Sequence, residues 1–153
     1  MNKPTLSVVM PNYNHAHFLP QALNGILSQS YLPLEIIIID DGSTDNSISV
    51  IESFAQKSAL IHFHRNNRNR GVVYSVNIAL EMVKGDYLNV HSADDWILPG
   101  LYEKSINLLR QYPSAALCSS KSEIVDAASG KKIILYLFIS QWLQSLILIL
   151  HNL

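Results

Sequence analysis

Along residues 1–120, short runs of aliphatic and β-branched residues alternate with segments whose apolar positions recur every three or four residues. Leu6, Val8, Val9 and Met10 predict a strand over 6–10, stopped by Pro11. Leu19, Leu23, Ile26 and Leu27 predict a helix over 18–29. The near-continuous run 34–39 has the pattern of a strand covered on both faces. Ile48, Ile51, Phe54 and Ala55 place a helix over 47–56, with Asp45 at its first turn. A third strand is expected over 60–64. A helix follows over 72–84 on Val72, Val76, Ala79, Leu80 and Val83, with Gly85 as its C-cap glycine. Strand 87–91, helix 100–111 and strand 115–119 complete the alternation. That order predicts an α/β fold, a doubly wound and mostly parallel sheet in one domain.

Eleven Lys and Arg against twelve Asp and Glu leave a formal charge of -1, so no global field draws in nucleic acid. The single cysteine, Cys118, excludes a disulfide framework and a Cys-rich zinc site, and its apolar neighbours predict an inert core position. The first apolar run is too short for a signal-peptide core, which predicts a cytoplasmic location. Charge placement divides the chain. Every Asp, Glu, Lys and Arg lies in 1–132, and 133–153 contains none. Residues 133–150 fall short of the roughly 20 apolar residues of a spanning helix, and Ser140, Gln141, Gln144 and Ser145 interrupt them. The expected boundary is therefore a domain over 1–132 and an uncharged hydrophobic tail over 133–153. That tail is expected to pack on the domain, to be aberrant, or to make peripheral membrane or partner contact. Self-association through exposed apolar surface is a further expectation.

In an open α/β sheet, ligands sit outside the carboxyl ends of the strands. The first strand leads into Pro11-Asn12-Tyr13-Asn14, the second into Asp40-Asp41-Gly42-Ser43-Thr44-Asp45, and the fourth into Ser92-Ala93-Asp94-Asp95. Taken singly, each acidic pair makes an ordinary turn or cap. Their joint placement on one sheet edge points instead to cation or hydroxyl binding. Neither a Gly-x-Gly-x-x-Gly loop nor a Gly-Lys-Ser/Thr loop is present. A bound diphosphate then needs another counter-charge, and Mn²⁺ or Mg²⁺ on carboxylate oxygens supplies it.

These blocks, with Asn69-Arg70-Gly71, Asn77 and Gly85-Asp86-Tyr87, resemble glycosyltransferase family 2 in order and spacing over 6–99. The resemblance implies a GT-A fold and transfer of a sugar from a nucleotide diphosphate donor, a UDP-sugar first among them. The acceptor would be a glycan or a lipid-linked glycan, in cell-surface polysaccharide or glycolipid synthesis at the inner face of the membrane. Carried over by position, Pro11, Tyr13 and Asn14 belong to the first-strand motif, Pro11 and Tyr13 packing on base and ribose. Asp41, with Asp40, matches the acid that meets the uracil ring. Arg70 and Gly71 match a loop lining the nucleotide pocket. Asp94 matches the metal-binding carboxylate that ends the family's Asp-x-Asp motif, followed by Asp95. Ser92 stands where the motif's first acid belongs, with Ala93 between them, so one charge of the usual set is missing.

No catalytic residue is assigned. The tail carries no carboxylate, so the general base and the acceptor half are expected outside these residues. The alternatives are a donor-binding remnant without turnover and a phospho-receiver-like signalling domain. Lys121 suits the second alternative, and the absence of acids after the first strand opposes it. His15 and His17, the alternating pair His62 and His64, and the basic loop 65–70 apart from Arg70 are expected to be solvated or structural.

Overall fold

The computed structural model describes residues 3–120, 122–126, 129, 131–135 and 146–149. Strands and helices alternate as β1 (Leu6–Asn12), α1 (Leu19–Leu27), β2 (Glu35–Asp40), α2 (Ser47–Ala55), β3 (Ile61–Arg65), α3 (Val72–Leu80), β4 (Tyr87–Val90), α4 (Leu101–Gln111) and β5 (Leu117–Ser119). Then follow β6 (Ser122–Val125), β7 (Lys132–Leu135) and β8 (Leu146–Ile149). The main sheet has the order β3-β2-β1-β4-β8-β5, and its first four strands are parallel. β6 and β7 form a separate antiparallel pair.

Period-two alternation sorts the core into two layers. Val8, Met10, Ile36 and Ile38 face Leu19, Leu23, Ile26, Ile51, Tyr102 and Ile106, the buried sides of α1, α2 and α4. Val9, Ile37, Ile39 and Leu88 face Ala79 of α3 on the opposite side. Both faces of β2 are covered, which is why its sequence shows no polar alternation until Asp40. The doubly wound α/β expectation holds.

Two local expectations are corrected. Pro11 lies within β1 rather than ending it. Asp41 N–H donates to Asn12 C=O and His91 N–H donates to Val9 C=O, so successive β1 residues point alternately to β2 and β4. The Pro11 nitrogen therefore points toward β4, whose pairing with β1 has already ended at Val9 and Val90. A missing donor costs nothing at that position. Gly85 is not the C-cap of α3, which ends at Leu80 with Glu81 in the cap position. Gly85 passes so close to β1 that a Cβ there would stand 2.6 Å from the Ser7 nitrogen.

The uncharged tail contributes a strand to the main sheet. β8 runs antiparallel between β4 and β5, pairing Leu148 with both Leu88 and Leu117. Residues 136–145 and 150–153 of the tail lie outside the described residues. Among the described residues, no helix is long and apolar enough to cross a membrane.

Candidate donor and cation site

The carboxyl ends of β1 and β2 are locked to each other by side chains. Asp40 is fully buried and points into its own loop, where Oδ1 accepts from Asn12 Nδ2 at 2.8 Å and Oδ2 accepts from Ser43 N–H at 2.9 Å. Ser43 Oγ also donates to Asp40. The Arg65 Nε lies 3.8 Å from Asp40 Oδ2 and is the one cation near this acid among the described residues. Asn14 adopts a left-handed conformation at φ 57, a backbone state asparagine tolerates better than most residues. From there its N–H donates to Ser43 Oγ at 2.9 Å, and its Oδ1 accepts from Thr44 N–H at 2.8 Å. Asp45 completes the lock by accepting from Ala16 N–H and Ser47 N–H, each at 2.9 Å. Asp40 and Asn14 thus build the loops, while Tyr13 beside them is exposed and Pro11 half-buried.

Asp41 faces the next loop. Its carboxylate accepts from Asn66 Nδ2 at 2.8 Å, from Arg70 N–H at 3.0 Å and from Gly71 N–H at 2.7 Å. Burial raises the carboxyl pKa. The hydrogen bonds from Asn66, from the Arg70 and Gly71 backbone and from Ser75 outweigh it, leaving Asp41 below the ordinary carboxylate value. A charge at the start of α3 also complements the helix dipole. Gly71, at φ 90, is the N-cap residue of that helix. Arg70 holds its guanidinium 3.7 Å above the Tyr74 ring centre and donates from Nη1 to Tyr74 Oη at 2.6 Å.

At the end of β4, His91 is buried and donates its backbone N–H to Val9 C=O at 2.8 Å. Its Nε2 lies 3.2 Å from the Asp95 carbonyl oxygen, which supports the turn carrying the acidic pair. Burial pushes the imidazole down to about 4, against the opposing effects of that hydrogen bond and of Asp94. The ring is therefore neutral near pH 7, with Nε2–H as the donor. Ser92 and Asp94 are exposed, Ala93 is buried and Asp95 is half-buried. Burial raises the Asp95 carboxyl first, and the neighbouring charge of Asp94 raises it further. Among the described residues, no basic side chain pairs with either acid, and no three His, Cys, Asp or Glu converge as a complete metal cage. Two adjacent carboxylates and a hydroxyl suit an oxygen-preferring cation whose remaining ligands come from phosphate and water.

The fold thus carries Pro11, Tyr13, Asn14, Asp40 and Asp41 to two interlocked loops and joins Arg70 and Gly71 to Asp41. Ser92, Ala93, Asp94 and Asp95 follow β4, the strand beside β1. Asn12 and Ser43, which stand in the strand-end blocks without a role of their own, and Asn66, Ser75 and His91, which sequence reasoning passed over, are all buried polar residues at this edge. Asn66 sits in the basic loop whose residues other than Arg70 are expected to be solvated or structural, and it is buried and bonded to both Asp41 and Ser75. The available signal was its place directly after a strand, beside residues that plainly are exposed.

The family model described as glycosyl transferase family 2 matches residues 7–146. An uncharacterized glycosyltransferase of Haemophilus influenzae is 34% identical over 147 residues, covering 92% of this chain and 59% of that protein. Glycosyltransferase GlyG of Streptococcus pneumoniae is 32% identical over 98 residues, covering 64% of this chain and 33% of its own length. Among solved structures, the mannosyltransferase PcManGT from Pyrobaculum calidifontis, in complex with GDP-Man and Mn²⁺, superposes with a TM-score of 0.68. Its identity is 24%, over 76% of this chain and 35% of that one. TarS 1-349 of S. aureus in complex with UDP-GlcNAc gives a TM-score of 0.65 at 22% identity, over 74% of this chain and 33% of that one. The chain therefore spans between about a third and three-fifths of the length of these proteins. With the family's pattern matched over most of its residues and the fold shared with solved glycosyltransferases, the chain belongs to glycosyltransferase family 2.

Proposed function

We propose that the loops after β1, β2 and β4 bind a nucleotide diphosphate sugar, a UDP-sugar first, together with Mn²⁺ or Mg²⁺. The whole protein would transfer the sugar to a glycan or lipid-linked acceptor in cell-surface polysaccharide or glycolipid synthesis. The observation that carries this reading is the Asp94 and Asp95 pair, which has no cationic partner among the described residues and lies at the end of the strand next to β1. GDP-Man with Mn²⁺, and UDP-GlcNAc, are bound by proteins of the same fold, which supports it. Family membership removes the phospho-receiver alternative.

In this reading Asp94 holds the cation, with Asp95 beside it and Ser92 offering a neutral hydroxyl. When bound, the cation would supply positive charge to the diphosphate as it leaves. Tyr13 offers an exposed ring to the base or ribose, beside Pro11. Asp41 acts mainly through its loop. Its two oxygens already receive Asn66, Arg70 and Gly71, so it sets the wall on which the base rests. Asp40 and Asn14 keep the β1 and β2 loops in register with each other. The domain over 1–132 holds all of these residues.

A thermal-shift screen of nucleotide diphosphate sugars, run with Mn²⁺ and with EDTA, tests the proposal. Stabilisation by a UDP-sugar that depends on Mn²⁺ is the expected outcome. Equal melting temperatures with every nucleotide, in either condition, would end it.

A further inference from the structure

A cleft of about 450 Å³ opens at the β3 edge of the sheet, between that strand and α3. Its walls include His64, Arg65, Arg68, Arg70, Tyr74 and Ile78, and no carboxylate lines it. It exists because α3 packs over β1 and β2, leaving the His64 side of the edge strand uncovered. Arg65, Arg68 and Arg70 all line this space in a chain whose formal charge is -1, and the Arg65 guanidinium turns to Asp40 and the Ser43 carbonyl oxygen. Gathering like charges costs free energy unless an anion sits among them.

The three are held differently. Arg65 is partly neutralised by Asp40 at 3.8 Å. Arg70 is stacked on Tyr74 and bonded to its hydroxyl, so its orientation is set before any ligand arrives. Arg68 is exposed and has no side-chain partner among the described residues. Its backbone is nevertheless fixed, because it presses on Gly42 so closely that a Cβ there would stand 2.7 Å from the Arg68 carbonyl carbon. A free guanidinium on an anchored backbone, beside one already oriented, suits a phosphate, two of whose oxygens can accept from one planar N–H fork. Tyr74 and Ile78 add an apolar wall for the organic part of such a ligand.

The geometry points to a second anion site in this cleft, one that takes a phosphate ester without a metal ion. It is lined by neither Tyr13 nor the acidic pair after β4. It adjoins the proposed donor site through Arg70, through Asn66, which donates to Asp41, and through Arg65 beside Asp40, but Arg68 belongs to the cleft alone and tests it separately from that reading. The volume falls within the range of ordinary small-molecule pockets.

The test uses the full chain in EDTA, with glycerol 3-phosphate followed by calorimetry and with phosphatidylcholine vesicles carrying phosphatidylglycerol followed by co-sedimentation. Arg68→Glu and Arg68→Gln are compared with the parent, their folds checked by circular dichroism. Binding of glycerol 3-phosphate that weakens at least about tenfold in Arg68→Glu, and less in Arg68→Gln, assigns the cleft to a soluble ester. Binding of the vesicles alone, lost in the same variant, assigns it to a lipid headgroup. Binding of neither probe, equal binding by Arg68→Glu, or displacement of the ester by UDP in EDTA would each overturn the proposal. Mn²⁺-dependent UDP binding is expected to be unchanged in Arg68→Glu. If UDP fails with the parent while the ester still binds, the donor reading fails and the cleft stands.

Discussion

Gly71 donates its backbone N–H to the Asp41 carboxylate at 2.7 Å, tying the turn after β2 to the N-cap residue of α3. One acid thereby fixes the position of a loop that arises some thirty residues later in the chain.

Replacing Asp41 by Ala leaves Arg70 N–H without its acceptor and removes the shorter bond of Asn66 Nδ2 and of Gly71 N–H, which keep Ser75 Oγ and Asn69 Oδ1. Hydrogen bonds to a charged group are worth about 1.5–3 kcal/mol each, and buried donors left unpaired are costly. Asp41→Ala is therefore expected to lower stability by roughly 2–4 kcal/mol in urea denaturation and to weaken uridine binding. Unchanged stability would show that the loop is held by other contacts.

The same carboxylate has a folded pKa below its ordinary value of 3.8. A depressed acid contributes stability that is complete above the unfolded value and disappears as pH falls through the folded one. Asp41 is thus expected to add acid lability below about pH 3.8, with its stabilisation complete and independent of pH near neutrality. Comparing denaturation midpoints from pH 5 to pH 2 in the parent and Asp41→Asn checks this. The variant should lose less stability across that window.

Asp94→Asn is expected to abolish the Mn²⁺-dependent part of UDP binding while leaving the metal-free melting temperature unchanged, because the side chain is exposed. Equal metal-dependent affinity in the variant and the parent, measured by calorimetry, would remove Asp94 from the cation site.

The two glycines are expected to respond differently to Ala. At Gly85 a Cβ meets the Ser7 nitrogen at 2.6 Å, so β1 must shift, at a cost of about 1–3 kcal/mol. At Gly71 nothing lies within 4 Å of the added carbon, and only the φ of 90 opposes it. Gly71→Ala should therefore cost about 1 kcal/mol and mainly affect ligand binding. Chemical denaturation of the pair decides the order.

β8 is flanked by β4 and β5, so its backbone is bonded on both sides. Ile147→Pro removes a ladder donor from this interior strand and is expected to lower the unfolding midpoint clearly. A neutral effect on the unfolding midpoint would show that the tail strand adds little to the sheet.

What the chain determines on its own is local. Alternating runs with periods of two and of 3.6 mark the strands and helices through α4, and the two-sided burial of β2 is written in its unbroken isoleucines. The acid and asparagine motifs likewise announce which strand ends matter. What they do there was decided by contacts between distant segments. Asp40 and Asp41 are neighbours in sequence, yet one turns inward to Asn12 and Ser43 and the other outward to Asn66 and Gly71. No periodicity distinguishes them, because the difference is which partner loop lies against each face. Pro11 is a strand residue only because β4 has already diverged from β1, and Gly85 is required only because Ser7 lies beneath it. The tail reads as an uncharged run of ambiguous kind, and a short apolar segment becomes a strand when two strand edges are available to pair with it. Pairing across the sheet is a property of the folded chain, and the physics that selects it acts through space rather than along the sequence.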